Sequence, residues 1–246
     1  MLAFIIPLKS AKVSSSWDYV CKLFERCLKS TCHQTNPDFR VIVVCNEKPD
    51  IEFHHPHVHY LQVEFSAPEE NNRIASGLAD KGRKVLSGLI EAQKFAPTHT
   101  MSVDADDCVS NRLAEYISQH PKDNGWFFQK GYKYLNNTAF LYIKRREFYR
   151  QTGTANILRY DLNDIPDQPE FNRGCGYYLF HINHQDLKGK MAKQGTPLKP
   201  LPFPGAVYVV GSGENMSANE KNLSFSFLNR KRLTPKLAHE FSLYAV

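Results

Sequence analysis

Three carboxylates, Asp104, Asp106 and Asp107, fall within four residues in the stretch "THTMSVDADDCVSNR", directly after an apolar segment. At an effective dielectric near 20, two unit charges about 6 Å apart repel by about 3 kcal/mol, so water, helix amides or a cation has to offset them. Side chains alternate along an extended strand, which predicts Asp104 and Asp106 on one face about 7 Å apart, with Met101, Val103 and Ala105 on the other. Two carboxylates on one side of a strand end can share a divalent cation, and hard oxygen ligands suit Mg²⁺, Mn²⁺ or Ca²⁺. The opposing reading is a loop of solvated aspartates, with Asp107 capping a helix that begins near Asn111. That uses one carboxylate and leaves two unexplained. The acids are therefore expected to hold a metal, and the metal to hold phosphate.

The elements around this cluster must place it at the end of a strand. "LAFIIPL" is a strand-length apolar run stopped at Pro7. "SSSWDYVCKLFERCLKSTCHQ" opens on serines suited to an N-cap and sets Trp17, Val20, Cys21, Phe24 and Leu28 on one helical face. "FRVIVVC" reads as a buried strand, "VHYLQVEF" as a more alternating one, and "HTMSVDADD" as a fourth. The segment from Val85 to Phe95 has helical periodicity, while Gly77 and Gly82 leave its start at either Ser66 or Asp80. Strands separated by helices imply crossovers, hence a mainly parallel sheet covered on both faces. Beyond residue 125 the pattern changes to paired aromatic strands, "GWFFQKGYKYL" and "AFLYIKRREF", followed by long loops of the kind that carry function.

Composition sets the outer limits. The 246 residues are 42% hydrophobic and 23% charged, which predicts an ordinary globular core. The net charge of +6 is spread along the chain, and its sharpest cluster, "NRKRLTPK", is too short to argue for nucleic acid. No apolar run approaches the ~20 residues that span a bilayer. Six cysteines without CxxC spacing, and no secretory pattern around "LAFIIP", predict reduced thiols in a cytoplasmic protein. The basic stretch leaves room for peripheral contact with an anionic membrane.

A strand ending in Asp-x-Asp-Asp near residue 100, in a chain that opens on an apolar strand ending at proline, resembles the GT-A nucleotide-sugar glycosyltransferases, especially glycosyltransferase family 2. The likeness covers roughly residues 2 to 120. It implies an α/β GT-A fold, Rossmann-like, with a mainly parallel central sheet flanked by helices. It further implies a single domain over residues 1–246, with a nucleotide-sugar half (about 1–120) and an acceptor half (about 121–246). In that family the acidic motif binds ribose and a divalent metal that bridges the donor diphosphate. Asp104 is thus implied on the nucleotide, and Asp104, Asp106 and Asp107 on Mn²⁺ or Mg²⁺. Pro7 is implied beside the base. Asn46 stands where the family commonly has an acid, with Glu47 next to it, and an amide can also pair with a base such as uracil. Asp80, Arg83 and Lys84 match a segment that approaches the nucleotide; were a helix to start near Asp80, a diphosphate would offset the repulsion of those cations from its dipole.

The implied reaction moves a sugar from a nucleotide-diphosphate donor, most simply a UDP-sugar, to a glycan or lipid-linked hydroxyl. An inverting course needs a carboxylate base, and Asp164 and Asp167 in the long acceptor loop are the candidates. The resemblance makes His181 and His184 candidates for a further metal contact from the second half, against the plainer reading of satisfied polar residues near a strand end. Gly213 and Asn215 in "GSGENMS" are candidates for approach to the phosphates. The histidines of "HHPHVHY" lack zinc spacing and read as a loop entering a strand. The alternatives are a nucleotidyltransferase, though the glycine- and arginine-rich loop expected after Leu8 is missing, and a metal-dependent phosphohydrolase, which would carry its acids on the first strand. A non-catalytic nucleotide- or carbohydrate-binding module is the third.

Overall fold

The computed structural model describes residues 1–65, 72–211, 213 and 228–246. In chain order its strands are β1 (Leu2–Pro7), β2 (Phe39–Cys45), β3 (Val58–Gln62), β4 (His99–Ser102), β5 (Cys108–Val109), β6 (Gly125–Phe127), β7 (Gly131–Leu135), β8 (Phe140–Lys144), β9 (Asn156–Arg159), β10 (Lys199–Pro200), β11 (Ala206–Val210) and β12 (Arg230–Arg232). The helices are α1 (Trp17–Cys32), α2 (Arg73–Ala92), α3 (Leu113–Ser118), α4 (Leu179–Ile182), α5 (Leu187–Lys193) and α6 (Pro235–Phe241).

A seven-stranded sheet runs β10-β6-β9-β4-β1-β2-β3. β1 pairs in parallel with β2 and β4, and β2 with β3, while β9 lies antiparallel to β4 and β6. β1 is buried on both faces, as its unbroken apolar run predicts. Phe4 and Ile6 face the cluster that holds Phe24 and Leu28 of α1. Ala3 and Ile5 face Val85, Leu89 and Ala92 of α2. Each such side chain contributes roughly 1.5–3 kcal/mol on burial. The chain lays down β1, β2 and β3 outward, then returns to place β4 on the other side of β1. The direction of winding reverses there, and in an open α/β sheet the crevice at such a reversal, beyond the carboxyl ends of the strands, is where ligands bind.

A smaller mixed sheet, β12-β8-β7-β11-β5, completes the molecule. The expected hairpin is β7 with β8, but "GWF" joins the larger sheet as β6. Segments from before and after residue 120 share both sheets, because β6 and β9 extend the first and β5 enters the second. Ser110, Asn111 and Arg112 are further tied to Glu240 of α6, Asn111 N–H donating to its carbonyl at 3.0 Å.

Three expectations are corrected here. Within the described residues α2 begins at Arg73, with the Asn72 side chain accepting from Ala75 N–H, and continues unbroken through Gly77 and Gly82. A Cβ on Gly82 would lie 2.3 Å from Tyr178 Cβ, so the glycine serves close packing and not a helix break. The fourth strand stops at Ser102, and residues 104–107 form a turn closed by Asp107 N–H donating to the Asp104 carbonyl at 2.9 Å. The alternating-face geometry expected for Asp104 and Asp106 therefore does not arise. The helix after them starts at Leu113 and has no side-chain cap, so Asp107 is not its N-cap. None of the six cysteines forms a disulfide, and five are buried. Among the described residues no helix is long and apolar enough to cross a membrane.

Candidate active site

The acidic turn follows β4 at the carboxyl edge of the large sheet, beside the winding reversal. Facing it is the "TGT" segment that leads into β9, which the antiparallel register of β4 and β9 brings alongside. Asp104 N–H donates to Thr154 Oγ1 at 2.8 Å. One Asp104 carboxylate oxygen is paired with Lys81 of α2; the other accepts from Gly153 N–H at 3.3 Å and has Thr152 Oγ1 at the same distance. Burial acts to raise the Asp104 pKa, but Lys81 and the Gly153 amide outweigh it and hold the carboxyl below its ordinary value.

Asp107 is fully buried and both of its oxygens are engaged. Thr152 Oγ1 donates to one at 2.6 Å and Val209 N–H to the other at 3.0 Å. Burial, reinforced by Asp106 and Asp104, pushes its pKa well above the usual carboxylate range. Asp107 thus locks the acidic turn to β11 and to the "TGT" segment. Asp106 differs. Among the described residues no other donates a hydrogen bond to it, and burial together with Asp104 pushes its pKa up to about 7. Lys81 and the buried Arg26 of α1 act on it at longer range. Arg26 itself donates through Nη1 to Asn136 Oδ1 at 2.7 Å and to the Tyr244 carbonyl at 3.0 Å.

The remaining sequence candidates divide into structural ties and surface groups. Pro7 ends β1 in register with Val44. Asn46 Nδ2 donates to the Val63 carbonyl at 3.1 Å and joins the ends of β2 and β3. Glu47 accepts from Ser10 Oγ at 2.8 Å and Ala11 N–H at 3.3 Å, which fixes the loop after β1. Lys84 is buried and donates to the Leu8 carbonyl at 2.8 Å and to Asp80 at 2.7 Å. Arg83, 5% exposed, pairs with Asp80 at 3.2 Å and lies over the Phe65 ring. These cations lie about three turns into α2. They are neither the first-turn residues that would oppose the dipole nor solvated positions on a long helix. Asp164 and Asp167 are exposed, Asp164 with Lys190 3.9 Å away. Gly213 is exposed, and Asn215 lies outside the described residues.

Lys81, Thr152, Gly153 and Thr154 escaped the sequence reading. Lys81 was one of three cations in "ADKGRK", and only the docking of α2 decides which of them meets Asp104. The "TGT" run carries two hydroxyls around a glycine, a composition suited to holding carboxylates, and was the available signal.

Among the described residues no group of three or more His, Cys, Asp or Glu side chains is set to hold a metal. A Mg²⁺-like ion, however, is commonly held by one or two carboxylates together with substrate phosphates. Asp106, with unengaged oxygens beside the Lys81–Asp104 pair, fits that partial role.

No protein-family model matches the chain, and neither does any curated protein. Among solved structures the chain is similar to S. aureus TarS, with a TM-score of 0.50 and 15% identity over 85% of this chain and 36% of that one. It is also similar to S. aureus TarS 1-349 in complex with UDP, with a TM-score of 0.51 and 14% identity over 87% of this chain and 61% of that one. The chain spans between 36% and 61% of the length of these matched chains. At such identities the likeness speaks to fold, and it agrees with the sheet order and with helices on both faces. The chain has a GT-A-like fold, with its acidic turn at the mouth of the crevice where the winding reverses.

Proposed function

We propose that this protein is a nucleotide-sugar glycosyltransferase that takes a UDP-sugar donor and a divalent cation, Mn²⁺ or Mg²⁺. The observation that carries the reading is the acidic turn at the ligand-binding edge of a GT-A-like sheet, in which Asp107 and Asp104 are held by protein donors while Asp106 has no donor among the other described residues. The UDP complex of TarS, similar in fold, supports the choice of base. Asp106 would hold the cation through one carboxylate, with the donor diphosphate as its other ligand, and the cation would supply charge stabilisation for the leaving group.

The chain's own residues do the rest. Lys81 lies at the same turn and adds positive charge where the diphosphate leaves. The Asp107 lock keeps the turn from relaxing when phosphate binds, so little reorganisation is needed at the moment of reaction. Lys84, through the Leu8 carbonyl, keeps the end of β1 beside the crevice. The acceptor is a hydroxyl of a glycan or lipid-linked sugar, and the course is inverting, as the resemblance implies.

Calorimetric titration of UDP, GDP, CDP and ADP, each with Mn²⁺ and with EDTA, tests the reading. Binding of UDP that requires Mn²⁺ and is lost in Asp106→Ala is the expected outcome. If no nucleotide binds with the metal present, the donor-site reading fails.

A further inference from the structure

A cavity of about 50 Å³ lies between α2, the large sheet and the α4–α5 segment, immediately beneath the acidic turn. Its walls collect an unusual set of groups. Among the described residues Ser102 Oγ, Asn156 Oδ1 and both ring nitrogens of His184 are buried without a hydrogen-bond partner of good geometry. Unpaired buried polar atoms each cost roughly 1–3 kcal/mol, so three side chains that carry them and line one space point to a polar occupant. Gly153, whose N–H donates to Asp104, lines the same cavity. On its outer side the cavity shares Asn163 and Phe180 with an open groove of about 380 Å³ lined by Asp161, Asp164, Gln194 and Thr196.

We propose that this cavity receives the reacting hydroxyl of the acceptor, entering by the outer groove, and that His184 is the catalytic base that takes its proton. The inference rests on the transferase reading. The space admits a water or a hydroxymethyl group and nothing much larger. Ser102 and Asn156 fix the hydroxyl, while a ring nitrogen of His184 accepts from it. As the acceptor oxygen bonds to the anomeric carbon, its O–H bond breaks and the proton passes to His184. The bond from the anomeric carbon to phosphate breaks, and its electron pair leaves on the nucleoside diphosphate. The imidazolium then returns the proton to solvent through the groove.

The surroundings of His184 suit a base that is neutral before the reaction. Burial and the Lys81 charge lower its pKa, against smaller opposing effects from Asp104 and from the nearby carbonyls of Ile182 and Arg150. The Asn156 amide donates to the His184 carbonyl at 3.2 Å and anchors the residue. Asp164, an expected base, is instead exposed on the wall of the outer groove, where it can meet the acceptor but not the donor phosphate.

The test compares wild type, His184→Ala and His184→Asn in two measurements: Mn²⁺-dependent UDP affinity, and hydrolysis of UDP-glucose and UDP-N-acetylglucosamine, in which water fills the cavity as acceptor. The expected result is UDP affinity within about twofold of wild type, hydrolysis slowed by at least about 10²-fold, and partial recovery on adding imidazole to His184→Ala. His184→Asn, closer in size, separates loss of chemistry from loss of folding, which thermal melting reports for both variants. Hydrolysis within a few-fold of wild type overturns the proposal, and so does a wild type that binds UDP yet hydrolyses neither sugar. Loss of Mn²⁺-dependent UDP binding in a folded variant would make His184 a metal ligand and equally overturn it. A wild type that does not bind UDP at all fails at the preceding step, the transferase reading itself.

Discussion

At the scale of single residues, the acidic cluster distributes its repulsion unequally. Asp104 is stabilised as an anion by Lys81, Asp107 is buried among donors, and Asp106 is left to titrate near neutrality. Asp107→Ala is expected to cost about 1–3 kcal/mol in urea unfolding, because it removes the buried carboxylate that accepts from Val209 N–H and Thr152 Oγ1. An unchanged unfolding midpoint would contradict the lock. A second residue-scale effect comes from His181. Burial lowers its pKa from 6.5 to about 4, partly opposed by Asp164 and assisted by Lys190. Between those two values the unfolded chain binds a proton that the folded chain does not, so stability is complete above pH 6.5 and declines as the pH falls towards 4. The shift corresponds to a loss of at most about 3 kcal/mol. Asp106 and Asp107, whose carboxyls are pushed upward, act in the opposite sense over the same range, so the expected signature is a difference: from pH 7.5 to 4.5, wild type should lose stability relative to His181→Gln in denaturant unfolding. A slope identical in the variant would remove His181 as its source.

At the scale of elements, α2 is the member that assembles the site. Its inward face packs Val85 and Leu89 on the sheet, and its third turn carries Lys81 to Asp104. Gly88 permits this approach: a Cβ there would lie 2.4 Å from Ile5 Cγ2 and 3.0 Å from Val44 Cγ2. Alanine at an exposed helix position gains about 1 kcal/mol over glycine. Overpacking a core costs about 1–3 kcal/mol, so the clash wins and Gly88→Ala is expected to be net destabilising. Because α2 would be displaced from the sheet, the same variant should also weaken UDP binding. Stabilisation by Gly88→Ala would mean the helix sits less closely than described. The turn between β4 and β5 teaches a similar point. The residues "SVDADD" read as strand because they alternate, yet hydrogen bonds from the "TGT" segment and the β11 backbone draw them into a turn.

At the scale of the whole molecule, the edge strand β12 of the smaller sheet is basic. Arg230, Lys231 and Arg232 of the edge strand β12 are all exposed, as are Arg145 and Arg146 after β8 and Lys236 of α6. This surface gives peripheral membrane contact a physical basis, at about 1 kcal/mol per basic residue near an anionic bilayer. Co-sedimentation with phosphatidylserine vesicles is expected at low salt, and should disappear near about 0.5 M salt and in the triple variant Arg230→Glu, Lys231→Glu, Arg232→Glu. Absence of binding at low salt would discard the membrane contact.

What the sequence determined by itself was whatever local periodicity and hydrophobicity encode. β1, β2 and α1 were legible because an unbroken apolar run, a β-branched run and a 3.6-residue stripe each admit one burial pattern. The acidic cluster was legible because three carboxylates in four residues demand an explanation wherever they lie. Only the tertiary structure decided which of the three is engaged, since the donors to Asp104 and Asp107 come from 23 to 102 residues away along the chain. It also decided that Lys84 is a buried tie and Lys81 the partner of Asp104, and that His184 shares a cavity with Ser102. Such pairings depend on how helices dock and strands register. No local pattern carries that information, because the free energy that selects it is set by packing between distant segments.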